Sequence, residues 1–180
     1  AMLVHVTERD GLRSRIVSSI RRGPDSTLWF GTYGGGVARY DGIGVRSFGP
    51  AEGLTDPFVR TLWSAPGGQL VVGTEHSGLF LYHEGRFRPV APLVQGRVNT
   101  IVNDAEGRLW LGGERGVACD PGDHVALTVG PSIMVHAIVP AGDSVWALPS
   151  SGLRVAQSTI PVAPSGVVAV PGNGSTTILW

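Results

Sequence analysis

LWFGTYGGGVARYD, residues 28–41, sets an aromatic pair and a Gly-Thr before three consecutive glycines and an apolar run ending in Tyr-Asp. Three glycines beside an apolar strand former fit either a loop that cradles a phosphate or a reversal between β-strands. The remainder of the chain decides between the two.

The stretch recurs. VSSIRRGPDSTLWFGTYGGGVARYD (17–41) aligns with VRTLWSAPGGQLVVGTEHSGLFLYH (59–83) and with VNTIVNDAEGRLWLGGERGVACD (98–120). A fourth copy is VHAIVPAGDSVWALPSSGLRV (135–155), and a fifth begins at VVAVPGNGSTTILW (167–180). One aligned column reads Trp29, Val71, Trp110, Trp146 and Trp180, with spacings of 42, 39, 36 and 34 residues. A period near 40 that carries short strands marks β-propeller blades. No helical i, i+3, i+4, i+7 pattern persists over a helical length.

Each unit supplies a Val-x-x-Ile/Leu strand (a), a turn, the Trp-column strand (b), a Gly-containing turn and a further apolar strand (c). A fourth strand (d) is expected at 46–50, 86–90, 125–129 and, merging with strand c, within 153–160. Residues 2–12 read as a strand d at 2–7 followed by a connection like FGPAEGL (48–54). The expected fold is therefore all-β, a propeller of four-stranded antiparallel blades near 13–50, 55–90, 95–130, 133–160 and 165–180. It holds about five blades, four full and one shared between the chain ends. Pairing of strand 2–7 with 167–180 would close a ring and remove open edges. The rival arrangement is a piece of a larger ring completed by another chain, with homo-oligomerisation through the open blade edges.

The Trp column is expected to fill the space between neighbouring blades. Trp63, on strand a, is placed to refill the gap left by Val71. The glycines ending strand b (Gly31, Gly73, Gly112, Gly113) and those starting strand c (36, 78, 116, 152) are read as tight-turn residues with positive φ. The opening glycines are then a b–c turn, and a phosphate loop is excluded. A Walker A loop needs lysine, and all 14 basic residues here are arginine.

Formal net charge is zero, so nothing steers the chain to nucleic acid or an anionic membrane. The single cysteine, Cys119, allows no internal disulfide and reads as a buried thiol. No apolar run reaches membrane-helix length, and no secretory signal is visible. No Gly-x-Ser-x-Gly elbow occurs, and the five histidines show no ligand spacing, so no catalytic residue, metal site or cofactor is expected.

What remains is the channel mouth, lined in propellers by the d–a and b–c loops. Arg13, Tyr33, Glu75, His76 and Arg115 lie on those loops. Arg15, Asp56, Phe58, Arg97 and Glu114 share them. The second position of strand a is variable and mostly polar: Ser18, Arg60, Asn99, His136 and Val168. Arg60, Asn99 and His136 therefore join the ligand-facing set, with Arg60 and His136 foremost.

The repeat resembles that of the two-component-regulator propeller family, in GLRSRIVSSIRRGPDSTLWFGTYGGGVARYDG (11–42), EGLTDPFVRTLWSAPGGQLVVGTEHSGLFLYHEGRF (52–87) and RVNTIVNDAEGRLWLGGERGVACD (97–120). The match is close over 8–120 and weakens beyond. The family's repeats form seven-bladed propellers in the extracytoplasmic sensor parts of bacterial signalling proteins. The resemblance thus implies a bacterial, periplasmic or extracellular, non-catalytic module that contacts a small ligand or a protein. Two other readings stay open. One is a lyase or glycosidase-type propeller with acid and base at the channel mouth; the other is a ring fragment completed by oligomerisation. NDAEGRLW (103–110) also looks like an Asp-box turn.

Overall fold

The computed structural model describes residues 5–23, 26–65, 68–90, 96–120, 127–129, 133–141, 144–150 and 154–157. They form four successive antiparallel sheets. The first holds β1 (Val17–Arg22), β2 (Leu28–Thr32), β3 (Gly36–Tyr40) and β4 (Val45–Phe48). The second holds β5 (Val59–Ser64), β6 (Leu70–Thr74), β7 (Leu79–His83) and β8 (Arg86–Pro89). The third holds β9 (Val98–Asn103), β10 (Leu109–Gly113), β11 (Gly116–Asp120) and β12 (Leu127–Val129). The fourth holds β13 (Val135–Ala141), β14 (Ser144–Pro149) and β15 (Arg154–Gln157). Strands in each sheet pair in chain order, and the first strands β1, β5, β9 and β13 contact one another in series. These are the blades of a propeller, with the first strand of each innermost.

Residues 154–157 pair with β14 and so form strand c of the fourth blade, where strands c and d had been expected to merge. Residues 5–7 carry no strand. Residues 2–4, residue 152, the fifth copy at 167–180 and Trp180 lie outside the described residues. The d–a connection is repeated as expected. A 3-10 turn at Glu8–Asp10 ends on Gly11 with φ 113°, and one at Pro50–Glu52 ends on Gly53 with φ 94°. In each the acidic side chain of the turn's third residue accepts a hydrogen bond from the backbone N–H that precedes the turn: Asp10 from Thr7 at 2.7 Å, Glu52 from Gly49 at 2.7 Å.

The Val-x-x-Ile signature is a strand with an apolar spacing of three, where a regular strand gives two. A β-bulge supplies the extra residue. Opposite β2, Val17 faces Thr32 and Ser19 faces Gly31, which leaves Ser18 out of the ladder. Arg60, Asn99 and His136 are skipped in the same way. The bulge returns the fourth residue to the side of the first. Val59 with Leu62, Val98 with Ile101 and Val135 with Ile138 are consequently all buried on one face.

That face packs on the preceding blade. One apolar cluster joins Trp29, Val37 and Phe48 to Val59, Leu62 and Phe80 across the first and second blades. A second joins Val71 and Leu79 to Val98 and Ile101, with Trp63 packed beside them. A third joins Trp110 and Cys119 to Val135, Ile138 and Val145. The Trp column thus fills the spaces between blades, and Trp63 sits against Val71. The fourth blade is the exception, since Trp146 is 40% exposed.

The strand-b glycines need a correction. Gly31, Gly73, Gly112 and Gly113 do not have positive φ; the positive values belong to Gly36, Gly78 and Gly116, at or just before the start of strand c. A Cβ on Gly31 would lie 2.7 Å from Val59 Cγ1, and one on Gly73 would lie 2.9 Å from Val98 Cγ1. A Cβ on Gly112 would lie 2.8 Å from Val135 Cγ1. These glycines are notches that let the next blade approach, and only the strand-c glycines serve the turn.

Candidate functional site

The bulge that fixes the apolar face also aims the skipped residue toward the next inner strand. Ser18 Oγ lies 2.6 Å from the Val59 carbonyl, with the Gly31 carbonyl also in reach at 3.0 Å. Arg60 donates from Nε and Nη2 to Asn99 Oδ1 at 3.2 and 3.0 Å. Asn99 Nδ2 donates in turn to the Val135 carbonyl at 2.8 Å, with Met134 sulfur at 3.3 Å. The Asn99 amide is thereby oriented, with its oxygen toward Arg60 and its nitrogen toward the fourth blade. His136 Nε2 is 3.0 Å from Ser150 Oγ, within its own blade.

Glu75, on the b–c turn of the second blade, ties this row to the loops. Its backbone N–H donates to the Phe58 carbonyl at 2.9 Å, which turns the side chain inward. The side chain is 6% exposed and stands between two arginines, each about one-third exposed. Arg97 Nη2 holds Oε1, and Arg60 Nε lies 3.3 Å from Oε2. That second approach is an ion pair outside hydrogen-bond geometry, so Glu75 Oε2 is buried without a hydrogen-bond partner; Arg97 Nε is likewise buried and unpartnered. Two guanidinium groups flank the Glu75 carboxylate, and the Glu114 carboxylate accepts from the Arg97 backbone N–H at 3.3 Å.

Asp56 anchors the neighbouring loop. It accepts hydrogen bonds from the backbone N–H of Phe58 at 3.1 Å, His76 at 2.8 Å and Ser77 at 3.0 Å. Burial opposes its ionisation, but these N–H groups and the Thr74 hydroxyl outweigh that and hold its carboxyl below the usual value. His76 Nδ1 lies 3.5 Å from Asp56 Oδ2, with 65% of the imidazole side chain exposed. Phe58 stacks edge-on against both His76, at 5.6 Å, and Tyr33, at 5.0 Å, so an aromatic row crosses the first and second blades.

Of the residues expected from the sequence, Arg60, Glu75 and Asn99 form one connected network. His76 and Tyr33 flank it through Asp56 and Phe58. Among the described residues, no hydrogen bond or ion pair ties Arg13, Arg115 or His136 to the network. Arg13 packs its guanidinium beside Gly49, and Arg115 is exposed. Arg97 is the member that the sequence left among ordinary loop residues. Its signal was its place immediately before Val98, where the chain enters the inner strand.

The Asp-box look of 103–110 is a structural turn. Asp104 Oδ1 accepts from the backbone N–H of Glu106 and Arg108, and Oδ2 accepts from Arg108 Nε at 2.6 Å and Trp110 Nε1 at 2.7 Å. No described helix is long and apolar enough to cross a membrane.

Comparison with known proteins agrees with this architecture. No curated protein matches the chain. Among solved structures, the extracellular domain of BT4673 from B. thetaiotaomicron superposes with a TM-score of 0.70 at 18% identity, over 82% of this chain and 23% of that one. The extracellular domain of BT3049 from B. thetaiotaomicron, assigned to a hybrid two component system, gives 0.70 at 18% identity, over 98% of this chain and 28% of that one. Virginiamycin B lyase from Staphylococcus aureus gives 0.54 at 12% identity, over 85% of this chain and 58% of that one. The chain thus spans about a quarter of the length of the two extracellular domains. Residues 92–115 match the family model described as Two component regulator propeller. The fold is that of an all-β propeller, and one of its repeats, at 92–115, is similar to the two-component-regulator repeat.

Proposed function

We propose that this chain is a non-catalytic sensing or scaffold propeller of a bacterial protein, working outside the cytoplasmic membrane. Its contact surface for a small ligand or a protein is the inner-strand row Arg60, Asn99 and His136 with the loops bearing Glu75, His76, Tyr33, Arg13 and Arg115. The observation that carries the reading is the repeated bulge. Successive inner strands each take one polar residue out of the sheet ladder, so residues the fold does not need for register are free to vary. The extracellular placement of the two B. thetaiotaomicron domains supports the location.

The carboxylates support the non-catalytic reading over a lyase or glycosidase. General acid–base chemistry needs a group that can exchange a proton with substrate. Asp56 is occupied by three backbone N–H groups, and Glu75 is held between Arg60 and Arg97. Both act as anchors.

The test is a thermal-shift screen of the intact protein against neutral sugars, sugar acids, dicarboxylates and amino acids. At least one class should raise Tm in the wild type, and Arg60→Ala and Asn99→Ala should abolish the shift while remaining folded. A screen with no shift, or a shift that both variants retain, overturns this assignment of the contact surface. Chemical conversion of any hit during incubation overturns the non-catalytic reading.

A further inference from the structure

In each of the first three blades the Trp-column residue pairs with one residue of strand c, which pairs in turn with one of strand d. In the second blade these two are Leu81 and Arg88, and in the third Cys119 and Leu127. In the first they are Arg39 and Arg46, directly opposite each other on β3 and β4. Arg39 lies over the Trp29 ring at 5.7 Å, and Arg46 over the Phe48 ring at 5.0 Å. Tyr82 of the second blade meets both rings, at 4.8 and 5.5 Å, so the two arginines border one aromatic seam between the blades. Like charges directly opposite each other destabilise a sheet, and a buried donor without an acceptor adds to the cost. Arg39 Nε is such a donor. Among the described residues, no carboxylate pairs with either guanidinium. Asp41, two residues beyond Arg39, accepts instead from the backbone N–H groups of Ile43 and Gly44, at 2.9 Å each. Covering the rings asks only for the arginine stems, and Leu81 occupies the position of Arg39 in the second blade. The paired charges bring the interface no return, and such local conflicts fall at functional sites.

We propose that Arg39 and Arg46 bind an oxyanion, a carboxylate or a phosphate group, at the outer end of the seam between the first and second blades. An anion held by both converts their repulsion into two ion pairs and gives the Arg39 guanidinium the acceptor it lacks. Contact with Trp29 and Phe48 restricts both side chains beforehand, so less freedom is lost on binding. Arg39 is half-buried and Arg46 exposed, so the anion enters from solvent and is held more weakly as salt rises. The site is separate from the channel mouth. Trp29 and Arg39 lie three ladder rows from the Thr32–Gly36 pair at the b–c turn, about 10 Å along the strand.

The site is tested by melting the intact protein in inorganic phosphate and, separately, in succinate, each against chloride at equal ionic strength. At least one anion should raise Tm saturably. A response to phosphate alone assigns a phosphoryl ligand, and a response to succinate alone assigns a carboxylate. The side-chain Nε–Hε resonance of Arg39 should shift along the same titration in proton–nitrogen spectra. Arg46→Gln should abolish both responses. Arg39→Leu, which installs the residue of the second blade, should abolish the Tm response and melt no lower than the wild type in chloride, because it removes the repulsion. Arg60→Ala, at the channel mouth, should leave the response in place. The assignment is overturned if neither anion moves Tm or the Arg39 resonance, or if Arg46→Gln responds as the wild type does. It is also overturned if Arg60→Ala loses the response, or if Arg39→Leu melts well below the wild type in chloride, which would make the arginine a packing residue.

Discussion

Asp104 accepts a hydrogen bond from the indole Nε1 of Trp110 at 2.7 Å, and the tryptophan that donates it is wholly buried between the third and fourth blades. One carboxylate therefore closes the a–b turn of the third blade and satisfies the polar atom of its largest core residue. Asp104→Ala would leave that N–H unpaired in the core and open the turn. The expected loss is about 2–3 kcal/mol, read as a fall in the urea midpoint with an unchanged m-value. A loss under about 0.5 kcal/mol would show that the turn does not depend on the carboxylate.

The same residue sets a pH dependence. Burial raises the Asp104 carboxyl, but the hydrogen bonds from Trp110 and Arg108 outweigh it and hold the group below its usual value. A carboxylate depressed in the folded state contributes fully above its unfolded value and loses that contribution as pH falls through the folded one. Stability should therefore drop on acidification below about pH 4, with Asp56 contributing in the same direction. Asp104→Asn should flatten this drop. An equally steep drop in the variant would assign the acid sensitivity elsewhere.

Gly112 and Val135 form a second test pair. Gly112→Ala would place a Cβ 2.8 Å from Val135 Cγ1 and 2.9 Å from Ile138 Cδ1, and should cost about 1–3 kcal/mol. Val135→Ala in the same chain should recover part of that loss, which a double-mutant cycle reports as coupling. Additive losses would mean that the glycine is not a packing notch.

Glu75 and Arg97 should be coupled as well. Arg97→Ala strips a buried carboxylate of one partner, whereas the same change beside Glu75→Gln strips a neutral amide. The first should cost about 1–2 kcal/mol more than the second, a figure set below that of fully buried pairs because Arg97 is one-third exposed. Equal costs in the two backgrounds would remove Glu75 as the reason Arg97 is held.

The blades were legible because their signal is local and repeated. A tryptophan column, a turn and a Val-x-x-Ile run reappear about every 40 residues, and each fits one short strand. What escaped was set by partners a whole blade away. Arg60 meets Asn99 at a separation of 39 residues, and Gly31 meets Val59 across an interface that no turn pattern encodes. Gly31 therefore read as a turn residue, although its backbone is that of an ordinary strand. Glu75 read as a loop tip facing a ligand, and its burial between two arginines depends on Arg97 arriving from the next blade. Trp146 carried the column's signature into the fourth blade, but its neighbouring face is open among the described residues.

The bulge in each inner strand divides the labour of the sequence. In β5, β9 and β13 its first and fourth residues are held to valine, isoleucine or leucine by the blade before. Its second residue belongs to no ladder pair, and serine, arginine, asparagine and histidine occupy it on the same frame. The axis can therefore be relettered one blade at a time without redrawing the sheets, so that a single architecture is able to display many different inner surfaces.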